Sequence, residues 1–314
     1  MKGVLLVNLG TPEAPTPRAV RRFLREFLSD PAVIDIHPFL RSLVLNLFIL
    51  PFRPRRVAHQ YGRIWTPEGS PLLVHSRALQ SVVQGDLENS YAVEIGMRYG
   101  QPSISDAIKG LLARGVSEIR LLPLFPQHAE ASRGSVITEF GRSLTLLDES
   151  IPVRVISPFF DHPGYIKAIA EIGRPILQHT RPDTILFSFH GLPERRSQKA
   201  DAYRDQCCTT ARLIIKELQV ENSDWTVTYQ SRMRPMRWIT PYTDHYLLDC
   251  LKRGKRRFLV FSPAFVADCL ETLEEIGVRL RDFALANGAE SLDLVPSLNS
   301  HPTWVKAVAE MVST

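Results

Sequence analysis

Short apolar runs alternate with segments of helical period along the whole chain. Eight runs have the length and character of buried strands, at residues 4–8, 91–97, 118–122, 153–156, 184–189, 225–229, 258–261 and 292–295. Helical patterns lie between them, including 18–28, 72–88, 103–114, 165–179, 203–218, 270–286 and 302–312. Continuous apolar strands separated by helices predict an α/β protein with parallel sheets covered on both faces.

Eight strands could form one barrel or two open sheets. The segment SPFFDHP at residues 157–163 is suited to a crossover near the middle of the chain. We therefore predict two doubly wound, Rossmann-like lobes, at residues 1–157 and 158–314, with the last helix packing back on the first lobe. In open parallel sheets, ligands bind beyond the carboxyl ends of the strands, so candidate site residues are sought there.

The composition indicates a globular protein but does not identify its ligand. The chain has 314 residues, of which 44% are hydrophobic and 23% charged, with a formal net charge of +5. This balance is typical of a globular protein, and the basic excess suits an anionic ligand, a nucleic acid or an acidic membrane surface equally well. No apolar run approaches the ~20 residues of a membrane span, and the N-terminus lacks a signal-peptide core. We expect a cytoplasmic protein.

The four cysteines, Cys207, Cys208, Cys250 and Cys269, form no C-x-x-C pair. This spacing argues against a zinc finger and against a redox motif, and it favours reduced thiols. There is also no P-loop, no G-x-S-x-G elbow and no G-x-G-x-x-G after the first strand, where LGTPEAP stands. Nucleotide and acyl-transfer chemistry are therefore disfavoured.

Residues 36–52 are rich in Leu, Phe and Ile, and Arg53, Arg55 and Arg56 follow closely. The segment is too short to span a bilayer, so it is either a buried helix or an apolar lip at a membrane surface. The pattern alone favours the buried helix, because core helices are common. The basic cluster favours the membrane, because anionic headgroups attract arginine.

His190 ends an apolar strand in FSFHGLP, where Gly191 and Pro193 predict a turn. A histidine at a strand exit is held rigidly while its ring can face a cleft. This placement suits a metal ligand or a general base near neutral pH. A histidine that is merely hydrogen-bonded within a loop is an equally good interpretation of the pattern.

Three carboxylates follow another strand: Asp268, Glu271 and Glu275. On an α-helix they would share one face, which is unfavourable unless a cation or a proton neutralises them. The arrangement therefore hints at metal handling or proton transfer, with a solvated acidic first turn as the alternative. One histidine and one carboxylate are too few for structural zinc, but they suit a weak, open metal site.

The segment 229–244, YQSRMRPMRWITPYTD, interleaves Arg232, Arg234 and Arg237 with Trp238 and two methionines. Such a surface suits a flat, anionic, aromatic ligand. It suits a single-stranded nucleic acid equally well, and an ordinary solvated basic turn is the remaining alternative.

Taken together, these stretches resemble the ferrochelatase family, in its bacterial type without an iron–sulfur cluster. The resemblance runs from GVLLVNLGTPEAP through six further segments in family order: EIGMRYGQP, LPLFPQ, LFSFHGLPER, TYQSRMRPMRWITPYTD, FSPAFVADCLETLEEI and ESLDLVPSLNSHP. The His-Gly-Leu-Pro strand exit and the Asp-x-x-Glu-Thr-Leu-x-Glu segment are the most specific of them.

The resemblance implies an enzyme, a lyase that inserts Fe(II) into protoporphyrin IX to form protohaem, with the porphyrin held in a cleft between the lobes. It assigns catalysis and metal handling to His190 and Glu271, and a metal or proton path to Asp268 and Glu275. It implies that the porphyrin is contacted by four residues: Leu9, Arg98, Ser231 and Trp238. Residues 36–56 correspond to the family's apolar lip, which makes peripheral contact with the inner face of the membrane the favoured interpretation.

The resemblance also implies that Fe(II) is a substrate, that no cofactor is tightly bound, and that no nucleic acid is a partner. Cys269 stands where some members carry a second histidine, His128 stands where Tyr or Phe is common, and Leu9 is not the Tyr of members that act on coproporphyrin. No cysteine follows Cys269, so we predict no iron–sulfur cluster. Two alternatives stay open: a cobalt or nickel chelatase for a sirohydrochlorin-type ring, and a non-catalytic tetrapyrrole carrier.

Overall fold

The computed structural model describes residues 1–194, 197–233 and 236–314, and it leaves the side chains at positions 89 and 197–199 undescribed. The chain divides into two compact units. The first comprises Met1–Pro158 with Val308–Thr314, and the second comprises Phe159–Ala307. Each contains a four-stranded parallel sheet with helices around it. The prediction of two α/β lobes with parallel sheets is confirmed.

The sheet of the first unit has the order β2-β1-β3-β4. Its strands are β1 (Lys2–Gly10), β2 (Tyr91–Tyr99), β3 (Ile119–Pro123) and β4 (Val153–Val155). β1 lies in the interior, where Val7 is the register partner of both Gly96 and Pro123. Positions 4–7 of this strand are completely buried, as expected for a continuous apolar run covered on both faces.

Six α-helices accompany this sheet: α1 (Pro17–Ser29), α2 (Pro38–Val44), α3 (Arg53–Gly62), α4 (Pro71–Asp86), α5 (Ile104–Ala113) and α6 (Ser135–Leu146). Short π-helical segments, Leu45–Ile49 and Glu130–Gly134, precede α3 and α6. The chain end also belongs to this unit, because the guanidinium of Arg120 binds the carbonyl of Val312 and that of Arg154 binds the carbonyl of Thr314.

The interpretation of residues 36–52 as a buried helix is wrong. None of the residues of α2 is buried, and Phe39, Phe48 and Phe52 are 73%, 65% and 72% exposed. Leu45 and Leu50 point inward and anchor the segment. Helical spacing thus places two leucines in the core while the aromatic rings face outward. In the described part of the chain, no helix combines the length and hydropathy needed to cross a bilayer.

The second unit repeats the topology of the first, with the order β6-β5-β7-β8. Its strands are β5 (Thr184–His190), β6 (Trp225–Gln230), β7 (Arg257–Phe261) and β8 (Ser291–Leu294). All eight predicted strands are present, each with ends within two residues of the prediction. Apolar runs bounded by turn residues were a sufficient signal for them.

The helices of the second unit are α7 (Pro163–Thr180), α8 (Ser197–Leu218), α9 (Thr243–Lys252), α10 (Arg281–Ala286) and α11 (Pro302–Ser313), whose end belongs to the first unit. A π-helical segment, Leu270–Leu280, precedes α10. Cys269 is its N-cap, so Asp268 lies before the helix. The prediction that Asp268, Glu271 and Glu275 share one helical face is therefore wrong for Asp268.

Candidate active site

His190 is the last residue of β5, and its ring is fixed on several sides. Its Nδ1 lies 2.7 Å from the carbonyl oxygen of Gly191. Because a carbonyl only accepts hydrogen bonds, Nδ1 carries the hydrogen and Nε2 keeps its lone pair. The hydroxyl of Tyr203 donates to the His190 carbonyl at 2.8 Å, and the rings of Trp238 and Phe265 flank the imidazole at centroid distances of 6.1 and 6.5 Å. This arrangement presents Nε2 as an oriented base.

The turn after β5 requires a glycine. A Cβ on Gly191 would lie 3.0 Å from the carbonyl oxygen of Gln230 and 3.1 Å from the ring of Trp238. The Gly191 amide donates to that same carbonyl at 2.9 Å. Glycine thus allows the turn to pack directly on β6 and on Trp238, which sets the position of His190.

Glu271 lies in the first turn of the π-helical segment and is half-buried. Burial raises the pKa of its carboxyl above the ordinary glutamate value, although the charge that His190 carries when protonated and a hydrogen bond from Cys269 partly oppose the shift. The effect of His190 means that the two groups interact electrostatically. Glu271 therefore stays protonated up to a higher pH than an exposed glutamate does.

Cys269 is buried beside Glu271. Burial holds the pKa of its thiol well above the usual range, so the group is a neutral hydrogen-bond donor to the Glu271 carboxylate. Its amide donates to Thr272 Oγ1 at 2.9 Å, which closes the cap of the π-helical segment. These contacts make Cys269 a neighbour that orients Glu271.

Glu275, one turn further along, binds the residues that follow β6. Its carboxylate accepts hydrogen bonds from the amide and the hydroxyl of Ser231, at 3.0 and 2.6 Å, and lies 3.8 Å from the guanidinium of Arg279. Gln230 Nε2 also donates to the Glu271 carbonyl at 2.9 Å. The structure therefore brings Ser231 and Glu275 together, while their predicted contacts with porphyrin and metal stay predictions.

Asp268 is buried and fully engaged. Its oxygens accept hydrogen bonds from the hydroxyl of Thr272 at 3.1 Å, the amide of Ser297 at 3.2 Å and Asn299 Nδ2 at 2.8 Å. The alternative of a solvated acidic first turn is wrong for this residue. It joins the start of the π-helical segment to the loop after β8, and its assignment to a metal or proton path stays a prediction.

Two basic residues of segment 229–244 differ in environment. Arg232 forms a bidentate ion pair with Asp244, with one contact of 2.8 Å, and lies over the ring of Tyr242. Arg237 is exposed. Arg234 lies outside the described residues. Trp238 is 5% exposed, and its Nε1 donates to the Met233 carbonyl at 2.8 Å. Trp238 therefore forms a buried wall beside His190, whereas Arg237 is solvated.

A cavity of about 350 Å³ opens beside Glu275. Its walls include Tyr229, Ser231, Arg232, Glu275, Arg279 and Phe283. Two guanidinium groups and two carboxylates, those of Glu275 and Asp244, line it together with apolar side chains, so its formal charges balance. It has room for several water molecules next to the Glu275 carboxylate.

Leu9 and Arg98 belong to the first unit. Leu9 is half-buried near the end of β1, where its amide donates to Asn8 Oδ1 at 2.8 Å. Arg98 donates to Asp30 at 2.6 Å and to the Ser135 hydroxyl at 2.6 Å. Its guanidinium is thus already bound within the protein, and the structure does not test its predicted contact with porphyrin.

Asp30 is the centre of that cluster, and the sequence analysis missed it. Burial raises the pKa of its carboxyl, but hydrogen bonds from Ser135, the Ala32 amide and Tyr99, together with the charge of Arg98, lower the pKa overall. The position before Pro31 at the end of a helix gives no sign of this role. Gln230 was also not singled out, although its strand-exit position was an available signal.

The described residues contain no group of three or more His, Cys, Asp or Glu side chains arranged as a metal site. All four cysteines are free thiols. What the second unit does bring together is an imidazole with its Nδ1 bound to a carbonyl, a carboxyl with a raised pKa and a second, hydrogen-bonded carboxylate. Such a set can accept protons and can bind a cation weakly.

The family model described as Ferrochelatase matches residues 1–314. The ferrochelatase of Coxiella burnetii (strain Dugway 5J108-111) is 44% identical, over 98% of this chain and 92% of that protein. The ferrochelatase of Azotobacter vinelandii is 43% identical, over 99% and 98%, and that of Pseudomonas aeruginosa is 41% identical, over 98% and 96%.

Solved structures support the same fold. The sirohydrochlorin chelatase SirB from Bacillus subtilis subspecies spizizenii, in complex with cobalt, has a TM-score of 0.60 and 12% identity, covering 100% of this chain and 94% of that one. CbiX, the terminal enzyme of siroheme biosynthesis in denitrifying bacteria, has a TM-score of 0.53 and 15% identity, covering 99% and 98%. These likenesses concern the fold alone. The whole-chain match and the identity of its sequence relatives show that this chain belongs to the ferrochelatase family.

Proposed function

We propose that this chain inserts Fe(II) into protoporphyrin IX to form protohaem, as a metal chelatase of the lyase class, with His190 and Glu271 as its proton- and metal-handling pair. Membership of the ferrochelatase family gives the reaction. The observation that supports the two residues is their pairing: a neutral imidazole with an oriented Nε2 interacts with a carboxyl whose pKa is raised.

The reaction requires the pyrrole N–H protons to leave as the metal enters. Nε2 of His190 accepts a proton, because its Nδ1 hydrogen is already bound to the Gly191 carbonyl. Glu271 stabilises the imidazolium that results and can take the proton on, since its raised pKa brings it nearer to the pKa of histidine. Water in the cavity beside Glu275 then offers a route to solvent.

Fe(II) is a substrate that must be released into the ring, so a weak site is appropriate. A histidine nitrogen and a carboxylate oxygen can guide the ion without holding it in a closed shell. Contacts with the rim and the carboxylates of a bound porphyrin can favour a distorted ring, which exposes a nitrogen lone pair to the metal. We propose no tightly bound cofactor, no iron–sulfur cluster and no nucleic-acid partner.

Segment 36–56 supports a further proposal about location. Its outward aromatic rings are followed by Arg53, Arg55 and Arg56, all exposed, which is the pattern of a protein that rests on an anionic lipid surface. We propose a cytoplasmic enzyme that contacts the inner face of the membrane peripherally through this segment.

The activity is tested with Fe(II) and protoporphyrin IX under anaerobic conditions, by the shift of the porphyrin absorption bands to those of haem. His190→Asn and Glu271→Gln are each expected to lower kcat ~10²–10⁴-fold, the usual contribution of a general acid or base. Binding of metal-free porphyrin, followed by fluorescence, should survive both changes. His179→Asn and Glu217→Gln are matched controls, because both of these side chains are exposed.

Normal turnover by either site variant would contradict the role proposed for that residue. Coproporphyrin and, with cobalt, sirohydrochlorin are run in parallel. Turnover of sirohydrochlorin without turnover of protoporphyrin would contradict the proposed reaction, and binding without turnover of any ring would identify a carrier.

A further inference from the structure

Arg133 is a buried cation with no counter-ion in the part of the chain that the structure describes. It lies in the π-helical segment Glu130–Gly134 of the first unit and is 3% exposed. Its Nη1 is buried, and its guanidinium forms no hydrogen bond or ion pair within residues 1–194, 197–233 and 236–314. Burial lowers the pKa of Arg133 to about 10, so the group still carries its charge at neutral pH. An uncompensated buried charge is unfavourable, and folded proteins normally pair it.

Two other arginines of the first unit, the buried Arg120 and the half-buried Arg98, are paired. Arg98 binds Asp30 and Ser135, and Arg120 binds Glu118 at 3.1 Å and the carbonyl of Val312. The contrast shows that this unit can supply partners for guanidinium groups where the fold alone needs them. The lack of a partner for Arg133 is therefore specific to this residue and is not general to the arginines of the unit.

The nearest carboxylate along the chain is that of Glu130, three residues earlier, which lies 3.7 Å from the imidazole of His128. Arg133 follows the carboxyl end of β3 and precedes Ser135, whose hydroxyl and carbonyl bind Arg98 at the end of β2. Arg133 thus belongs to the connection that follows the carboxyl end of a strand, and such connections bind ligands in open parallel sheets.

We propose that Arg133 binds a carboxylate of the tetrapyrrole substrate. The proposal rests on the proposed function, since a porphyrin with propionate side chains is the carboxylate ligand that this function supplies. The planar fork of a guanidinium matches a carboxylate through two parallel hydrogen bonds. Arg98, to which the family resemblance assigns a porphyrin contact, already donates to Asp30 and Ser135. The buried Nη1 of Arg133 has no such partner among the described residues.

The test measures binding of metal-free protoporphyrin IX and of its dimethyl ester, by porphyrin fluorescence and without iron. Arg133→Gln is expected to weaken binding of the free acid ~10–100-fold, as for the loss of a charged hydrogen-bonded pair. It should leave binding of the ester unchanged. Arg142→Gln is the matched control, because Arg142 is exposed on α6 and its partner is Glu139. In the iron-insertion assay, KM for porphyrin should rise while kcat is kept.

An equal effect of Arg133→Gln on acid and ester, or no effect on either, would overturn the proposal. If that variant does not fold, Arg133→Lys keeps the charge but loses the planar fork, and it should reduce the preference for the acid. An unchanged preference overturns the proposal. Wild-type protein that inserts iron but binds acid and ester equally also overturns it and leaves the proposed function standing. Wild-type protein that binds neither porphyrin overturns both.

Discussion

At the scale of single residues, the chemistry of the site comes from pairs of groups that tune one another. His190 has its tautomer set by a backbone carbonyl, and Glu271 has its pKa raised by burial while Cys269 donates to it. In water, neither the imidazole nor the carboxyl would have a fixed tautomer or a shifted pKa. Their properties follow from being held together in partly dry surroundings, where a carboxylate is less favourable than a carboxyl.

The raised pKa of Glu271 predicts a stability effect that depends on pH. A carboxyl whose pKa is higher in the folded state contributes most below its unfolded pKa, ~4.3, and this contribution is lost as pH rises through the folded pKa. Glu271→Gln should therefore raise the free energy of unfolding at pH 7.5, because the neutral amide avoids the unfavourable burial of the carboxylate. Near pH 4 it should change the free energy little.

Urea unfolding at the two pH values measures this difference. The exposed Glu217→Gln control should show no such dependence on pH. A Glu271→Gln protein that is less stable than wild type at pH 7.5 would mean that the carboxylate is a net stabilising group, contrary to the raised pKa.

At the scale of elements, tertiary hydrogen bonds decide the form of the helix that carries Glu271. Segment Leu270–Leu280 is π-helical, with its start fixed by Thr272 and Cys269 and its first turn held by Gln230. Glu275 ties its second turn to Ser231. A π-helix widens the turn and changes which side chains share a face, and such segments are frequent at functional sites.

Asp183 joins two strands of the second sheet just before β5. Its carboxylate accepts hydrogen bonds from the guanidinium of Arg257 at 2.8 Å and from the amides of Arg256 and Arg257 at 2.9 Å each. The side-chain hydrogen bond of Arg257, helped by these amides, holds the pKa of Asp183 well below its usual range. A depressed pKa gives stability that is present above pH ~4 and lost as pH falls through the folded pKa.

Asp183→Asn is therefore expected to lower the free energy of unfolding by ~1 kcal/mol at pH 7, a modest value because Arg257 is partly exposed. The difference from wild type should shrink towards pH 3. Thermal or urea unfolding across this range measures it. Asp201→Asn, at an exposed surface pair with Arg204, is the control and should change stability by less than half as much.

The strands could be predicted from sequence because a buried parallel strand needs little more than an apolar run, as residues 4–8 and 184–189 show. The π-helical form of Leu270–Leu280 could not, because it depends on partners some 40 residues away, such as Gln230. His190 and Glu271 were found from a strand exit, a carboxylate spacing and the family resemblance. The buried state of Arg133 and the network around Asp268 had no local signature, since burial depends on the whole fold.

At the scale of the whole molecule, the outward rings of segment 36–56 are the main apolar feature of the surface. They predict binding to vesicles that contain anionic lipid. Replacing Phe39, Phe48 and Phe52 with serine should weaken this binding at least ~10-fold, because each ring would otherwise bury apolar area in the lipid. Stability should be kept, because the three rings are 73%, 65% and 72% exposed.

Co-sedimentation with phosphatidylcholine vesicles, with and without phosphatidylglycerol, measures this effect. Leu146→Ser on α6 is the control, because Leu146 is 70% exposed and lies outside the segment. Equal sedimentation of the triple variant and the wild type would remove the basis for a lipid-facing segment.

The shared strand order of the two sheets, β2-β1-β3-β4 and β6-β5-β7-β8, has a consequence for ancestry. Each strand in one sheet has a counterpart in the other, so that β1 corresponds to β5, and the π-helical segment after β3 corresponds to the one after β7. If the halves descend from one duplicated gene segment, Arg133 and Glu271 occupy cognate turns. One copy of the turn then acquired a basic residue and the other an acidic residue. Ancestral reconstruction of a half-length sequence would show at which branch the two turns diverged.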